Sequence, residues 1–339
     1  MKLSVLDQST VAEGRPPAEA LHNTLELARL ADRLGYERYW VAEHHGIPSH
    51  AGTAPEILIA RIAAETKGIR VGSGGVLLTY YSPMKVAEVF HVLQALYPGR
   101  IDLGIGRAGG ANPLENRAMR WDAPAAADDF DARISALQRH LHESFAADHP
   151  YSTIKVMPTV PEVPPVWLLG SSVRSAASAA ELGLPYAYAH FINPADTRRA
   201  VETYRAKFRG TEPRVIVGLG MYCGETDARA QRMLASHLLV RKRLFAGDIR
   251  AIPDADEAVA ELARGPHPLA GEETEWPRYF AGTPERIRQL AGSLEAELGV
   301  DELIAMNMIH DHADRRRCYE LLAEALELAP REDPAVLPR

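Results

Sequence analysis

The chain has 339 residues, 46% hydrophobic and 24% charged, with 38 Lys and Arg against 45 Asp and Glu. That length and apolar share suit a large core, and 25 Gly with 24 Pro are too few for a collagen-like or disordered chain. A formal charge of −7 excludes wholesale binding to nucleic acid or to an anionic membrane, both of which need a basic surface. Two cysteines, Cys223 and Cys318, exclude a disulfide framework and a Cys-rich zinc site, and point to a reducing cytoplasm. The longest stretches free of Asp, Glu, Lys and Arg, 71–84 and 182–195, are 14 residues each, too short to span a bilayer. Asp7 interrupts the first apolar run, which argues against a secretory signal.

In chain order, the first strand is predicted at Leu3–Leu6. Leu21, Leu25, Ala28, Leu30 and Leu34 then recur near the 3.6 spacing of a helix that stops at Gly35. Tyr39–Ala42 reads as the second strand, and Ile57, Ile59, Ile62 and Ala63 carry a helix to Lys67-Gly68. The third strand covers Ile69–Leu77. After Pro83, the positions Val86, Val89, Leu93 and Leu96 give a helix that halts at Pro98-Gly99. Further strands read at Ile101–Gly106, Val166–Leu169, Tyr186–His190, Val215–Tyr222 and Leu303–Met308. Helices read near 128–146, 173–183, 194–208, 226–246, 284–298 and 313–328.

Strands alternating with helices imply parallel pairing through right-handed crossovers. An open doubly wound sheet and a closed (β/α)8 TIM barrel compete among α/β folds, and a count of eight strands favours closure. The chain exceeds the ~250 residues typical of such a barrel, so it must carry insertions. The longest, 247–282, follows strand 7 and contains Pro253, Gly265-Pro266, Pro268, Gly271 and Glu272-Glu273. It is expected on the catalytic rim as an active-site lid. Residues 107–127 and 147–165 are lesser insertions. Without an internal repeat or linker, residues 1–329 read as one domain and 330–339 as a loose tail.

Chemistry-bearing residues cluster at strand ends. Ala42-Glu43-His44-His45 closes strand 2, where barrel side chains point into the mouth. There His44 can exchange protons near neutral pH and Glu43 can hold its charge state, which makes them the catalytic candidates. A polar strand end that caps the next loop is the plainer alternative. A metal site adding His50 lacks other ligands at a recognised spacing, and no metal is expected. Gly104-Ile105-Gly106-Arg107-Ala108-Gly109 matches a dinucleotide fingerprint literally, but Gly110, Ala111, Asn112 and Pro113 follow where a helix is needed. What survives is a turn presenting Arg107, suited to a phosphate or to an ordinary surface ion pair.

Gly170-Ser171-Ser172-Val173-Arg174-Ser175 turns strand 5 into a helix, offering either an anion site or a plain N-cap. Strands 4 and 5 adjoin, so Arg107 and Ser172 share one stretch of rim, which favours a phosphate pocket. Gly72-Ser73-Gly74-Gly75 lies inside strand 3 and marks either a flat ligand against the backbone or a tight barrel corner. His44 and Gly75 then stand two strand spacings, roughly 10 Å, from Arg107 and Ser172. A flat ring with one phosphate at that distance describes FMN, and a sugar phosphate with an extended body fits as well. His310-Asp311-His312 mimics a metal cluster, but Asp311 begins a helix and caps it, while His310 can reach the rim. Cys223 and Cys318 read as unreactive.

Taken in order, these pieces resemble the bacterial luciferase-like, flavin-dependent monooxygenases. They include Pro98-Gly99-Arg100-Ile101-Asp102-Leu103-Gly104, Gly183-Leu184-Pro185-Tyr186-Ala187 with His190-Phe191, and Gly282-Thr283-Pro284-Glu285. The likeness covers about residues 1–328 and is greatest to the single-chain branch often found in natural-product pathways. It implies a barrel that takes reduced FMN from a separate NAD(P)H:flavin reductase. Dioxygen would then oxygenate a small organic substrate through a flavin 4a-hydroperoxide, in a cytoplasmic homodimer.

The resemblance also implies roles for single residues. His44 would assist proton transfer, oriented by Glu43. Gly74-Gly75 falls where the family has a strained peptide, often non-prolyl cis, against the isoalloxazine. Arg107, Gly170, Ser171, Ser172 and Ser175 would bind the phosphate, and His45, Tyr80, Tyr81, His190 and His310 are the substrate-side candidates. Gly106 replaces the reactive cysteine of luciferase, so light emission on long aldehydes is not implied. Thr79-Tyr80-Tyr81-Ser82-Pro83 stands where many relatives have Pro-Asn-His-Ser-Pro, which reshapes the substrate side. Three rival functions remain: deazaflavin-dependent hydride transfer on the same barrel, a non-catalytic flavin binder, and an aldolase or isomerase, for which no strand end offers a clear lysine.

Overall fold

The computed structural model describes residues 1–107, 113–119, 130–300 and 302–331. The predicted strands form β1 (Lys2–Asp7), β2 (Arg38–Val41), β3 (Arg70–Ser73), β4 (Val76–Leu77), β5 (Ile101–Gly106), β6 (Val166–Gly170), β7 (Tyr186–Ala189), β8 (Val215–Cys223) and, past an unpredicted β9 (Tyr279–Gly282), β10 (Glu302–Met306). Pairing is parallel in the order β10-β1-β2-β3-β5-β6-β7-β8, and β10 also pairs with β8, which closes an eight-stave barrel. The helices that cross between staves are α1 (Pro17–Leu34), α2 (Pro55–Glu65), α3 (Pro83–Leu96), α4 (Pro113–Met119), α5 (Phe130–Leu141), α6 (Val173–Glu181), α7 (Thr197–Lys207), α8 (Asp227–Phe245), α9 (Ala255–Leu262), α10 (Pro284–Leu298) and α11 (His312–Ala325). No helix among the described residues is long and apolar enough to cross a membrane.

Alternation along each stave divides the side chains between two cores. Leu3, Val5, Tyr39, Val41, Val71, Leu103 and Val217 point outward and pack beneath the helices. Leu6, Trp40, Trp167, Ile216 and Ile304 point inward and fill the barrel, with Trp40 edge-on to Trp167 at 5.5 Å. Below them the N-terminal end is closed by charge. Arg38 lies 2.8 Å from both Asp102 and Glu302, and Arg70 and the Trp40 indole N–H also donate to Asp102. Full burial of a carboxylate is tolerated here because every approach to it carries a donor.

Several expectations change in detail. The single strand expected over Ile69–Leu77 is two, β3 and β4, broken at Gly74-Gly75, whose peptide is cis. β9 pairs with β8 from Gly220↔Tyr279 onward, taking over the edge that β7 leaves at Gly218. The buried face of α1 runs through Ala20, Thr24, Leu27, Ala28, Leu30 and Ala31, while Leu21, Leu25 and Leu34 are only half-buried. Gly35 ends α1 as expected, at φ +89°, and a Cβ there would meet the Ala329 carbonyl. Segment 247–282 follows α8, as the helix expected over 226–246 requires, but it is not a bare loop: it contains α9 and β9. It reaches the rim through Ile252, which exchanges backbone hydrogen bonds of 2.8 Å with Val11 and Glu13. The tail starts anchored, because Arg331 donates to the carbonyls of Asp32 and Tyr36. Positions 332–339, and 108–112 and 120–127 of the second insertion, lie outside the described residues.

Candidate active site

At the C-terminal ends of the staves the inward positions become small: Ala42, Gly74, Gly106, Ala189 and Gly218. Their missing side chains leave a cavity of about 580 Å³ above the floor of Leu6, Trp40 and Ile304. That volume falls within the ~300–1,000 Å³ of small-molecule sites.

His44, just past β2, lines this cavity. Its amide donates to Gly52 at 2.9 Å, fixing the backbone, while its buried Nδ1 has no hydrogen-bond partner. The ring stacks on His50 with centroids 4.3 Å apart. Burial, and then the neighbouring His45, pull its pKa down to about 4, so the ring is neutral at neutral pH. Glu43 does not orient it. The Glu43 carboxylate instead receives the Tyr81 hydroxyl at 2.7 Å and the Leu77 amide at 2.9 Å, with His45 Nε2 2.7 Å away. Three partners compete for that acceptor, and the chain direction sends His44 to the other side. Glu43 therefore knots β2 to the segment after β4, and the expected Glu43–His44 couple is corrected to Glu43–His45.

Gly74 and Gly75 border the cavity, yet the barrel wall alone explains them. A Cβ at Gly74 would lie 2.5 Å from Leu6 Cδ1, and one at Gly75 would lie 2.8 Å from the Gly104 carbonyl. Of the two expected causes, the tight corner is present whether or not a ligand is.

The opposite wall is built by β5 and β6, whose pairing (Ile105↔Leu168) brings Arg107 beside Gly170. Arg107, Gly170, Ser171, Ser172 and Ser175 all line the same cavity as His44. Capping is realised as well: Ser172 Oγ accepts from the Ser175 amide at 3.2 Å, and Ser175 Oγ accepts from the Ser172 amide at 3.3 Å. Ser175 Oγ is further engaged by the Tyr186 hydroxyl at 2.8 Å, so it braces the turn. A Cβ on Gly170 would stand 2.2 Å from that oxygen. The first amides of α6 and the dipole behind them favour an anion. Arg174, absent from the sequence-derived site, lines the cavity from the first turn and has no carboxylate partner among the described residues. Its signal lay in the motif itself, two residues after the cap.

The remaining candidates disperse. Tyr80 sits edge-on to His45 and donates to Asn116, and Tyr81 serves Glu43. His190 is fully buried outside the cavity walls, with Nε2 donating to the Pro277 carbonyl at 3.0 Å and Nδ1 2.7 Å from the Thr197 hydroxyl. Burial lowers its pKa to about 4. His310 packs between Glu13 and Asp254, tying the insertion to the loop after β1, and Asp311 caps α11 at Asp314. Neither histidine reaches the cavity because each is held by backbone carbonyls or loop carboxylates at the periphery.

A second cavity of about 430 Å³ adjoins the first, and Gln8, His44, Phe191 and Ile192 border both. Its far side is α8 and residues 248–251 of the insertion. Spacing alone could have found the α8 face: His237, Val240, Arg241 and Leu244 are a helical stripe aimed at one surface.

Residues 1–302 match the family described as luciferase-like monooxygenase. The crystal structure of apo-MsnO8 is 54% identical, covers 97% of this chain and 99% of that one, and has a TM-score of 0.91. YceB of Bacillus subtilis (strain 168), itself uncharacterized, is 38% identical over 95% of this chain and 98% of its own length. The N-acetyl-S-alkylcysteine monooxygenase of the same organism is 33% identical over 98% of this chain and 100% of its own. A family match spanning the barrel, with relatives aligned nearly end to end, settles the affiliation: the chain belongs to the luciferase-like monooxygenase family.

Proposed function

We propose that the protein is the oxygenase of a two-component system. It takes reduced FMN from a separate NAD(P)H:flavin reductase and, with dioxygen, oxygenates a small organic substrate of secondary metabolism. The single observation that carries this reading is the layout of one cavity. Cations Arg107 and Arg174 and the α6 N-terminus stand at one end, and neutral, half-unpartnered His44 stands at the other. Those residues fit FMN: the cationic end suits a phosphate, and the wall of Gly74, Gly75, Ala42 and Leu6 leaves room for a flat ring.

When bound and reduced, FMN supplies the electrons that activate dioxygen. This chain's residues do the rest. Arg107, Arg174, Ser171 and Ser172 hold the phosphate, and the Trp40 and Leu6 floor excludes water from the ring. His44 accepts or returns a proton at its free ring nitrogen. Segment 247–282 acts as the lid of a single domain over residues 1–329. Exposed Ile57, Val92, Leu96 and Met157 on α2, α3 and their neighbour support a homodimer through that face.

The test is a set of titrations with FMN, riboflavin and deazaflavin coenzyme F420, followed by mixing of the reduced FMN complex with oxygen and candidate substrates. Preference for FMN over riboflavin, with oxygenated product, supports the reading. Preference for F420, or flavin binding without any turnover, overturns it in favour of hydride transfer or of a non-catalytic flavin carrier.

A further inference from the structure

The second cavity holds a charge that no carboxylate among the described residues neutralises. The stripe of α8 directs Arg241 into it, next to Val240 and below Met306 and Met308. The other charges at its edge are satisfied: Arg250 lies 2.8 Å from Asp248, and Arg243 donates to Glu257 at 2.9 Å and Glu261 at 2.8 Å. Arg241 has no carboxylate within salt-bridge distance among the described residues, and its Nε is buried without a hydrogen-bond partner. A guanidinium cannot shed its proton, so with no described carboxylate against it this one is open to an anion entering the cavity. The Phe245 ring covers one face of the guanidinium, 4.9 Å from its centroid, and the Tyr279 hydroxyl lies beside it. A covered face leaves the N–H edge, which is the geometry that grips a carboxylate through two parallel hydrogen bonds.

We infer that the organic substrate is a carboxylic acid with an apolar body, anchored by Arg241 and extending past Met306 to His44, which borders both cavities. This deepens the proposed oxygenase function and rests on it for the word substrate. The binding claim stands separately, because it concerns a cavity beside the flavin wall.

The experiment titrates the full chain, with and without FMN, with two matched pairs of probes by calorimetry: 2-naphthoate with 2-naphthamide, and 4-phenylbutyrate with 4-phenylbutyramide. Each acid is expected to bind roughly 10- to 100-fold more tightly than its amide, the span of a charge-assisted hydrogen-bonded pair. Arg241→Gln should erase that preference, and Arg241→Lys should restore part of it. Equal binding of acid and amide, retained acid preference in Arg241→Gln, or no binding of either acid to the native chain overturns the inference. FMN affinity is read in the same samples. Its loss in the native chain would sink the oxygenase reading, while the acid-to-amide ratio would still decide the role of Arg241.

Discussion

His44 and His50 stack ring on ring, their centroids 4.3 Å apart and their planes 29° from parallel. His50 is held at both nitrogens, 2.8 Å from Gln8 Oε1 and 2.9 Å from the Ser49 hydroxyl. It therefore acts as a fixed plate against which the His44 ring is oriented. With a pKa near 4, His44 is a neutral hydrogen-bonding group at working pH, and no charge change is expected from it between pH 6 and 8. His44→Ala should keep FMN affinity yet lower product formed per reduced flavin by ~10²-fold or more, the usual worth of a positioned acid–base group. Product and hydrogen peroxide are quantified after a single reduced-flavin addition. An unchanged product yield removes His44 from the chemistry.

Acid stability follows from the same burial. His44 and His190 are lowered to about 4, His237 to about 3, and His50 well below 6.5, each by desolvation first. The sign is fixed by linkage: below pH 6.5 the unfolded chain binds these protons and the folded chain does not. Stability is therefore full above pH 6.5 and falls as pH drops toward 4, by up to ~1.4 kcal/mol per pH unit per group. Urea unfolding across that range measures the slope. His237→Phe should make it shallower, whatever it does to absolute stability. A flat profile from pH 6.5 to 4.5 would contradict the buried-neutral assignment.

Gly170 offers a test of the phosphate wall that leaves its charges untouched. A side chain there collides with Ser175 Oγ at 2.2 Å and Cβ at 2.5 Å, so the cap of α6 must shift. Gly170→Ala is expected to cost ~1–3 kcal/mol, as overpacking does. It should weaken FMN binding more than riboflavin binding, because the displaced element forms the proposed phosphate end of the cavity. Thermal unfolding and paired flavin titrations check both halves; equal loss for the two flavins would place the damage elsewhere.

Charge at that wall is tested directly by Arg107→Gln and Arg174→Gln. Each removes a cation from the cavity end where α6 begins. FMN affinity should fall roughly tenfold per substitution and become less salt-dependent, with riboflavin affinity unchanged. If only Arg107→Gln has an effect, Arg174 is a solvated surface group and not part of the phosphate site.

The barrel was legible because its signal is repetitive: alternating runs, helix stops at Gly35 and Gly99, and a count of eight need no knowledge of packing. Rim residues were legible for the same reason, since strand ends locate Arg107, Ser172 and His44 without side-chain geometry. Partner choice was not. Adjacency in sequence suggested that Glu43 serves His44, whereas three donors from His45, Tyr81 and Leu77 converge on it in space. β9 escaped notice because Tyr279–Gly282 is four residues long and takes its meaning only from the edge of β8. The charges of the barrel floor, Arg38, Arg70, Asp102 and Glu302, drew no reading of their own, since a single sequence carries no sign of burial.

That floor yields the sharpest separation of stability from function. Asp102 is fully buried and accepts from Arg38, Arg70 and the Trp40 indole. Arg38 in turn lies over the Trp167 ring at 5.0 Å. Asp102→Asn keeps the shape but removes the counter-charge of two guanidinium groups, one of them buried. Breaking such a pair costs about 3–5 kcal/mol, more than replacing the whole network by apolar groups would. The cavity lined by His44, Arg107 and Arg174 lies at the opposite ends of the staves, above the Trp40 layer, so its cationic wall is expected not to feel the change. Asp102→Asn should therefore unfold at distinctly lower urea concentration with FMN affinity within about twofold of the native value. Loss of FMN binding in protein that is still folded by circular dichroism would mean the floor and the cavity are coupled through Trp40, and the layered description of the barrel interior would have to be abandoned.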